Sequence, residues 1–312
     1  MSTGVLLSYS GIGSNLLHLP YVHEVARKDG PIELITFSEK IPFILKSDPS
    51  LKNISYINKY NKKLIDIFKF SKLLKERKLK KLYIFYPSLR FKIAAKLAGI
   101  SKVYCYPLFR KKKLHLVKAA KKFTEKVLNI KECPTETKFF LSEEQKSQSN
   151  LFIKKNKKNI FIAASSSGPT NRWPISNFIK LIKKIKEQAD SHFFILVGKN
   201  EAAISERIIS ETEKMDITSV HNLSIEQISI VAASCDFYIG NDTFAHHICC
   251  QSSIPSIILL IDTPRAYSDY SKHQHQITPE HIPIQEIDHG SRADPDSIKV
   301  DKVFKKFLEL TN

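Results

Sequence analysis

The chain has 312 residues, more than a single hydrophobic core ordinarily organises, so two domains are expected. An apolar fraction of 42%, with 19 Phe and 11 Tyr, excludes wholesale disorder, and no apolar run reaches the roughly 18 residues of a membrane span. The net charge of +18 invites a nucleic-acid reading, but only 8 of the 49 basic residues are arginine and no helix-turn-helix, zinc-finger or RNP-like pattern accompanies them, so nucleic acid is not the expected partner.

In chain order, the first strand is expected at Val5–Tyr9. It follows no basic segment and runs straight into a Gly-containing loop, unlike a signal peptide, so a cytoplasmic protein is expected. Further strands are expected at Ile32–Phe37, Leu82–Tyr86 and Val103–Tyr106. Between them, Leu64, Ile65, Phe68, Leu73 and Leu74 form one helical apolar stripe, and Phe91–Leu97 forms another that stops at Gly99. Lys, Glu, Ser, Gln and Asn dominate Asn129–Asn159, which reads as an interdomain linker. The expected domains are therefore 1–150, with the linker from residue 129, and 151–312. The second begins with a strand at Ile160–Ala164, a helix at Ser176–Gln188, a strand at Phe193–Val197 and a helix after Glu201. Ser224 and Gln227 form a capping-box pattern that opens another helix, followed by strands at Phe237–Ile239 and Ile257–Ile261 and a helical tail over Ser297–Leu310. Strands alternating with amphipathic helices predict an α/β class of two Rossmann-like doubly wound domains. The five cysteines (Cys105, Cys133, Cys235, Cys249, Cys250) include no Cys-x-x-Cys pair, so reduced thiols are expected rather than disulfides or structural zinc.

Ligands of doubly wound sheets collect beyond the carboxyl ends of the strands, which directs attention to three loops. The first, Ser10-Gly11-Ile12-Gly13-Ser14-Asn15, follows the first strand. Gly11 and Gly13 are expected to allow positive φ and close backbone approach, with Asn15 beside them at a helix start suited to phosphate. A dinucleotide fingerprint would need a third glycine and an acid after the second strand, and both are missing. The second loop, Ser165-Ser166-Ser167-Gly168-Pro169-Thr170-Asn171-Arg172-Trp173-Pro174, offers hydroxyls, a glycine backbone and a guanidinium, the parts of a diphosphate cradle. Its Trp173, the only tryptophan, is expected to pack the loop onto the next helix. The third loop, Gly240-Asn241-Asp242-Thr243-Phe244-Ala245-His246-His247, sets a carboxylate, a hydroxyl and two imidazoles at a helix N-terminus. Adjacent helical residues point about 100° apart, so His246 and His247 are not expected to share a metal ion.

The order of parts from Ile160 to Ile261 resembles glycosyltransferase family 9, the ADP-heptose lipopolysaccharide heptosyltransferases. Arg172-Trp173-Pro174 closes a small-residue loop, Val197-Gly198 ends a strand, Leu223-Ser224 opens a helix, and the family's Gly-x-Asp-Thr-Gly-x-x-His is met at Gly240, Asp242, Thr243 and His247. Ile254-Pro255 begins the next strand, and Gly13 with Leu19-Pro20 fits the family's opening loop. The resemblance implies the GT-B architecture, with the acceptor on the first domain, the nucleotide-sugar donor on the second, and inverting transfer in a cleft between them without a cofactor or metal. Donor contacts would fall to Ser165, Ser166, Ser167, Asn171, Arg172, Asp242, Thr243 and His247. Gly11, Gly13 and Asn15 would form the acceptor or phosphate loop.

Three positions depart from the family pattern. The family's acidic base falls on Ser14, which cannot take a proton unaided, so Ser14 and His18 are the catalytic candidates, with His23 and Glu24 as further substitutes. The family's phosphate-contacting lysine falls on Asn171, and the glycine after Asp-Thr is Phe244. The expected acceptor is an anionic lipid-linked glycan at the inner face of the inner membrane, met by the basic run Arg110-Lys111-Lys112-Lys113 and the Lys118–Lys122 cluster. The alternative is a catalytically degenerate GT-B protein that binds a nucleotide sugar or an envelope partner.

Overall fold

The computed structural model describes residues 2–58, 65–107, 115–168, 170–212, 216–291 and 293–311. Leu64, the basic run 110–113 and Pro169 lie outside the described residues. The chain divides into two compact units, Met1–Phe140 and Leu141–Asn312.

The first unit runs β1 (Thr3–Leu7), α1 (Ile12–Leu17), α2 (Leu19–Asp29), β2 (Ile32–Thr36), α3 (Ile41–Ile44), β3 (Leu51–Tyr56), α4 (Ile65–Glu76), β4 (Lys81–Ile84), α5 (Leu89–Leu97), β5 (Lys102–Cys105) and α6 (Leu116–Leu128). Its strands pair in parallel in the order β3-β2-β1-β4-β5. The connections run one way from β1 to β3 and the other way from β3 through β4 to β5. Right-handed crossovers therefore place α4 and α5 on the opposite face from α1–α3. Packing agrees, since α4 lies against α5 and α2 against α6. Leu6, Leu82 and Ile84 from the sheet meet Phe70, Leu74 and Phe91 from α4 and α5 in one core. β1 is buried throughout because both faces are covered, whereas the edge strand β3 is largely exposed, and its polar Lys52 and Asn53 hid it from the apolar-run reading.

The second unit runs α7 (Glu143–Ser149), β6 (Lys158–Ala163), α8 (Ile175–Gln188), β7 (Ser191–Leu196), α9 (Ala202–Glu211), β8 (Ile217–Ser219), α10 (Ile225–Ser234), β9 (Phe237–Asn241), α11 (Phe244–Gln251), β10 (Ser256–Leu259), β11 (Gln274–Ile277) and α12 (Val300–Thr311). The parallel order is β11-β10-β9-β6-β7-β8. Direction reverses between β6 and β9, so the loops leaving these two neighbours diverge to opposite faces and leave a crevice above the sheet edge. Gly240 makes that pairing possible. It lies opposite Ala163, and a Cβ there would stand 2.7 Å from the Ala163 backbone. The core joins Ile160, Phe193, Phe237 and Ile257 from the sheet to Phe178 and Ile182 of α8 and Phe307 of α12.

The expected linker contains an element that composition concealed. Ser142 and Gln145 close a complete capping box on α7, which packs against α10 within the second unit. The Ser224–Gln227 box at α10 forms as its sequence indicates. The five cysteines form no disulfide among the described residues.

Candidate functional site

In the second unit the loops after β6 and β9 come together at the reversal point. Asn241, fully buried at the end of β9, accepts a hydrogen bond from the Trp173 amide at 2.9 Å and so ties one loop to the other. The Trp173 indole is sealed, donates to the Ile298 carbonyl at 2.9 Å and meets Phe178 edge-on at 4.9 Å. It packs the loop onto α8, as its sequence context indicates, and also onto the segment before α12.

The serines and Arg172 of the β6 loop are largely engaged within the protein. The Ser166 hydroxyl donates to the carbonyls of Gly168 and Asn171, each at 2.9 Å, and Ser165 accepts from the Gly198 amide at 3.0 Å. Arg172 donates to Glu201 and to the Ser166 carbonyl, each at 2.6 Å. Burial alone would raise the Glu201 carboxyl, but hydrogen bonds from Arg172 and Ser165 outweigh it and hold the group below its ordinary value. The Asn171 side chain is buried and accepts from the Asp262 amide at 3.2 Å. Asp262 in turn accepts from Thr170 at 2.6 Å and from the Gly290 amide at 2.6 Å. Ser165, Ser166 and Asn171 thus shape the loop from inside, while Ser167 stands exposed on it.

The β9 loop presents a different chemistry. Thr243 caps α11, its hydroxyl accepting from the Ala245 amide at 3.3 Å and lying 3.1 Å from the Tyr238 hydroxyl. Thr243 is half-buried, so the α11 N-terminus is accessible, and its amides and dipole favour an anion. Asp242 bonds His246 Nε2 at 2.6 Å, His246 Nδ1 faces Gln274 Nε2 at 3.2 Å, and His247 Nδ1 bonds the Tyr270 hydroxyl at 2.6 Å. Burial, reinforced by the neighbouring His246, drives the His247 imidazole well below its usual range.

The expected divergence of the two histidines needs correction. Their rings lie 3.9 Å apart, because His246 turns back to Asp242 and His247 leans on Tyr270. Ligand atoms of Asp242, His246 and His247 all lie within 4.8 Å of one another, so these are the described residues that could hold a metal ion. Both His246 nitrogens and one of His247 already have protein partners, and a cation would have to displace them.

In the first unit Gly11 has φ −73° and precedes α1, and Gly13 lies inside that helix, so neither supplies the positive φ expected of it. The turn is built instead by Asn15, buried, whose amide donates to the carbonyls of Tyr9 at 2.9 Å and Gly11 at 2.7 Å while its oxygen accepts from Thr36 at 2.7 Å. Ser14 is half-buried on the first turn of α1. His18 is 0% exposed, bonded to the Ser14 carbonyl at 2.6 Å, 3.3 Å from the Tyr106 hydroxyl and stacked on Tyr9 at 4.9 Å. Burial lowers this imidazole to about 4, only partly opposed by the bond to Ser14. His18 is thus enclosed within the unit, with both ring nitrogens facing protein atoms, which supports a structural place for it rather than a catalytic one. His23 lies between Asp48 at 2.7 Å and Thr137 at 2.5 Å, and Glu24 pairs with Arg27, so both substitutes are also engaged.

Sequence reading gave no role to Asn241, which it placed in the third loop, and missed Glu201 and Asp262; all three organise the loops. Their common signal is position, since Asn241 ends β9 and Glu201 and Asp262 come shortly after the carboxyl ends of β7 and β10.

A family model described as glycosyltransferase family 9 (heptosyltransferase) matches residues 95–290. No curated protein matches the sequence. Among solved structures, the chain is similar to ADP-heptose lps heptosyltransferase II of E. coli, with TM-score 0.75 and 16% identity over 99% of this chain and 98% of that one. It is also similar to a family 9 glycosyl transferase from Veillonella parvula DSM 2008, with TM-score 0.77 and 15% identity over 100% and 97%. A third likeness is to E. coli heptosyltransferase WaaC with ADP, with TM-score 0.70 and 14% identity over 100% of both chains. Two parallel α/β sheets of the GT-B fold, the reversal-point loops and the matched family model together make the chain a glycosyltransferase that belongs to family 9.

Proposed function

We propose that the chain transfers a sugar, most simply a heptose, from an ADP-linked donor to an anionic lipid-linked envelope glycan with inversion at the anomeric carbon. The second unit holds the donor and the first the acceptor. The observation that supports this most is the accessible N-terminus of α11, capped by Thr243 and placed at the sheet reversal between two interlocked loops. In this reading Thr243 and the α11 amides receive the donor diphosphate. Arg172, held by Glu201, adds positive charge beside it, with Ser165, Ser166 and Asn171 keeping the loop in shape and Ser167 at its surface. Asp242, fixed by His246, accepts from donor hydroxyls, and His247 orders the loop behind it.

The leaving group is a nucleoside diphosphate. Its developing negative charge would be met by amides already in place, which lowers the barrier without a proton donor. On the acceptor side Ser14, on the first turn of α1 beside Gly11, Gly13 and Asn15, orients the attacking hydroxyl, whose oxygen bonds to the anomeric carbon as the bond to the diphosphate breaks and whose proton passes to water. Two solved structures of E. coli WaaC contain ADP and ADP-2-deoxy-2-fluoro heptose, which makes ADP-heptose the first donor to try.

The test is thermal stabilisation by a panel of nucleoside diphosphates and nucleotide sugars, followed by a transfer assay with any donor that binds. A selective shift with ADP or ADP-heptose that is lost in Thr243→Val supports the reading. No shift with any nucleotide refutes it, and a shift without turnover on any glycan acceptor would leave a donor-binding protein that does not transfer.

A further inference from the structure

The outward faces of α4 and α5 in the first unit are unusually apolar. Ile65, Phe68 and Leu73 on α4, and Leu89, Ile93 and Leu97 on α5, are all large apolar residues open to solvent. Phe68 is 66% exposed, Ile65 60% and Leu89 55%, so these side chains stand out from the surface rather than lie along it. Leu89, Ile93 and Leu97 are spaced four apart and form one ridge, while Phe91, Ala94 and Ala95 of the same helix fill the core. Isolated exposed apolar residues are ordinary, but six on two helices packed side by side are not.

The same face is positively charged. Lys69 and Lys72 on α4, and Arg90, Lys92 and Lys96 on α5, are exposed between the apolar side chains. α5 has no acidic residue, and the exposed acid of α4 is Glu76 in its last turn. Apolar side chains able to enter an acyl boundary, set among cations able to meet phosphate headgroups, fit an anionic bilayer and not a neutral protein groove. The first turns of both helices follow strand carboxyl ends, so Ile65, Phe68 and Leu89 lie towards the same edge of the sheet as the start of α1. From these observations we infer that the α4/α5 face docks the protein on an anionic phospholipid surface, with Phe68 and Leu89 inserted and Lys92 and Lys96 paired with headgroups. It rests on the reading of a lipid-linked acceptor only for its biological purpose, because the surface itself needs neither donor nor acceptor.

The experiment is co-sedimentation of the full chain with vesicles of phosphatidylcholine alone or mixed equally with phosphatidylglycerol, without donor or glycan. Binding is expected to the anionic vesicles and to weaken with added salt. The Phe68→Glu/Leu89→Glu variant and, separately, Lys92→Glu/Lys96→Glu should each lower partitioning about tenfold or more. Unchanged melting and an unchanged nucleotide shift in each variant would show that fold and donor site are intact, so the docking and transfer proposals can fail independently. No binding to anionic vesicles overturns the inference, as does equal binding by the variants. Self-association of the native chain that is lost in Phe68→Glu/Leu89→Glu would also overturn it, by assigning the face to a second copy.

Discussion

His18 shows how little a residue's type says about its use. On sequence it stood four residues after Ser14 and was a candidate base, but in the fold it is enclosed by the stacked Tyr9 ring and by Tyr106, the residue after β5. Its effect is on stability. The folded chain keeps it neutral down to about 4, whereas the unfolded chain protonates it near 6.5. Between those values the unfolded state binds more protons, so stability falls as pH drops through the window, by roughly 3 kcal/mol in all. Urea denaturation at several pH values should show this slope, and His18→Gln, which keeps a donor but does not titrate, should make it shallower, with the buried His247 keeping part of it. Arg172 offers a second prediction. Glu201→Gln removes the charge that positions the guanidinium and should weaken donor binding several-fold while leaving unfolding within about 1 kcal/mol of the native chain, as for a partly exposed pair. Calorimetric titration beside denaturation separates the two effects. At Asp242, His246 and His247 a chelator is expected to leave transfer unchanged, and lost activity restored by a divalent ion would show that the trio binds metal in solution.

Elements were legible in the sequence where burial and local chemistry agree. β6, β7, β9 and β10 are apolar because both faces are covered, and the Ser224 box marks α10 by side-chain bonds within four residues. β3, β8 and β11 were not legible. They are edge strands, polar or only three residues long, and depend on a neighbour that sequence does not reveal. The same reasoning explains α7, whose Ser and Gln look like linker until the side of α10 is there to receive it. Gly240 has a simpler requirement. Gly240→Ala would force a methyl into the Ala163 backbone and should cost about 1–3 kcal/mol or more, read as a lower urea midpoint with unchanged m-value. The candidate site was half legible: the Asp242–Thr243 segment was marked by its place after a strand and by its resemblance to the family motif, but its supports Asn241, Glu201 and Asp262 come from three separate strand ends.

Each unit of the molecule has its own sheet and its own core. Donor binding in the second unit should therefore slow amide exchange chiefly within residues 141–312, around 164–174 and 241–251, with little change in β1–β5. Hydrogen exchange with and without ADP tests this, and protection confined to the first unit would reverse the proposed division of labour. Charge at this scale does not identify a partner, since +18 is a sum over the whole chain.

The line from Gln274 to Asp242 has a direction. The Gln274 carbonyl oxygen accepts from the amides of Tyr270 and Ser271, each at 3.1 Å, so its nitrogen must point to His246 Nδ1. That leaves the His246 proton on Nε2, donated to Asp242, which can then act only as an acceptor. Two backbone amides in the turn before β11 thus determine the hydrogen-bonding polarity of a carboxylate just past the end of β9. In a mutational tolerance map, position 274 should be as unforgiving as position 242. Gln274→Glu, nearly identical in shape, should be among the worst replacements, because it sets an acceptor against an acceptor and frees the imidazole to change tautomer.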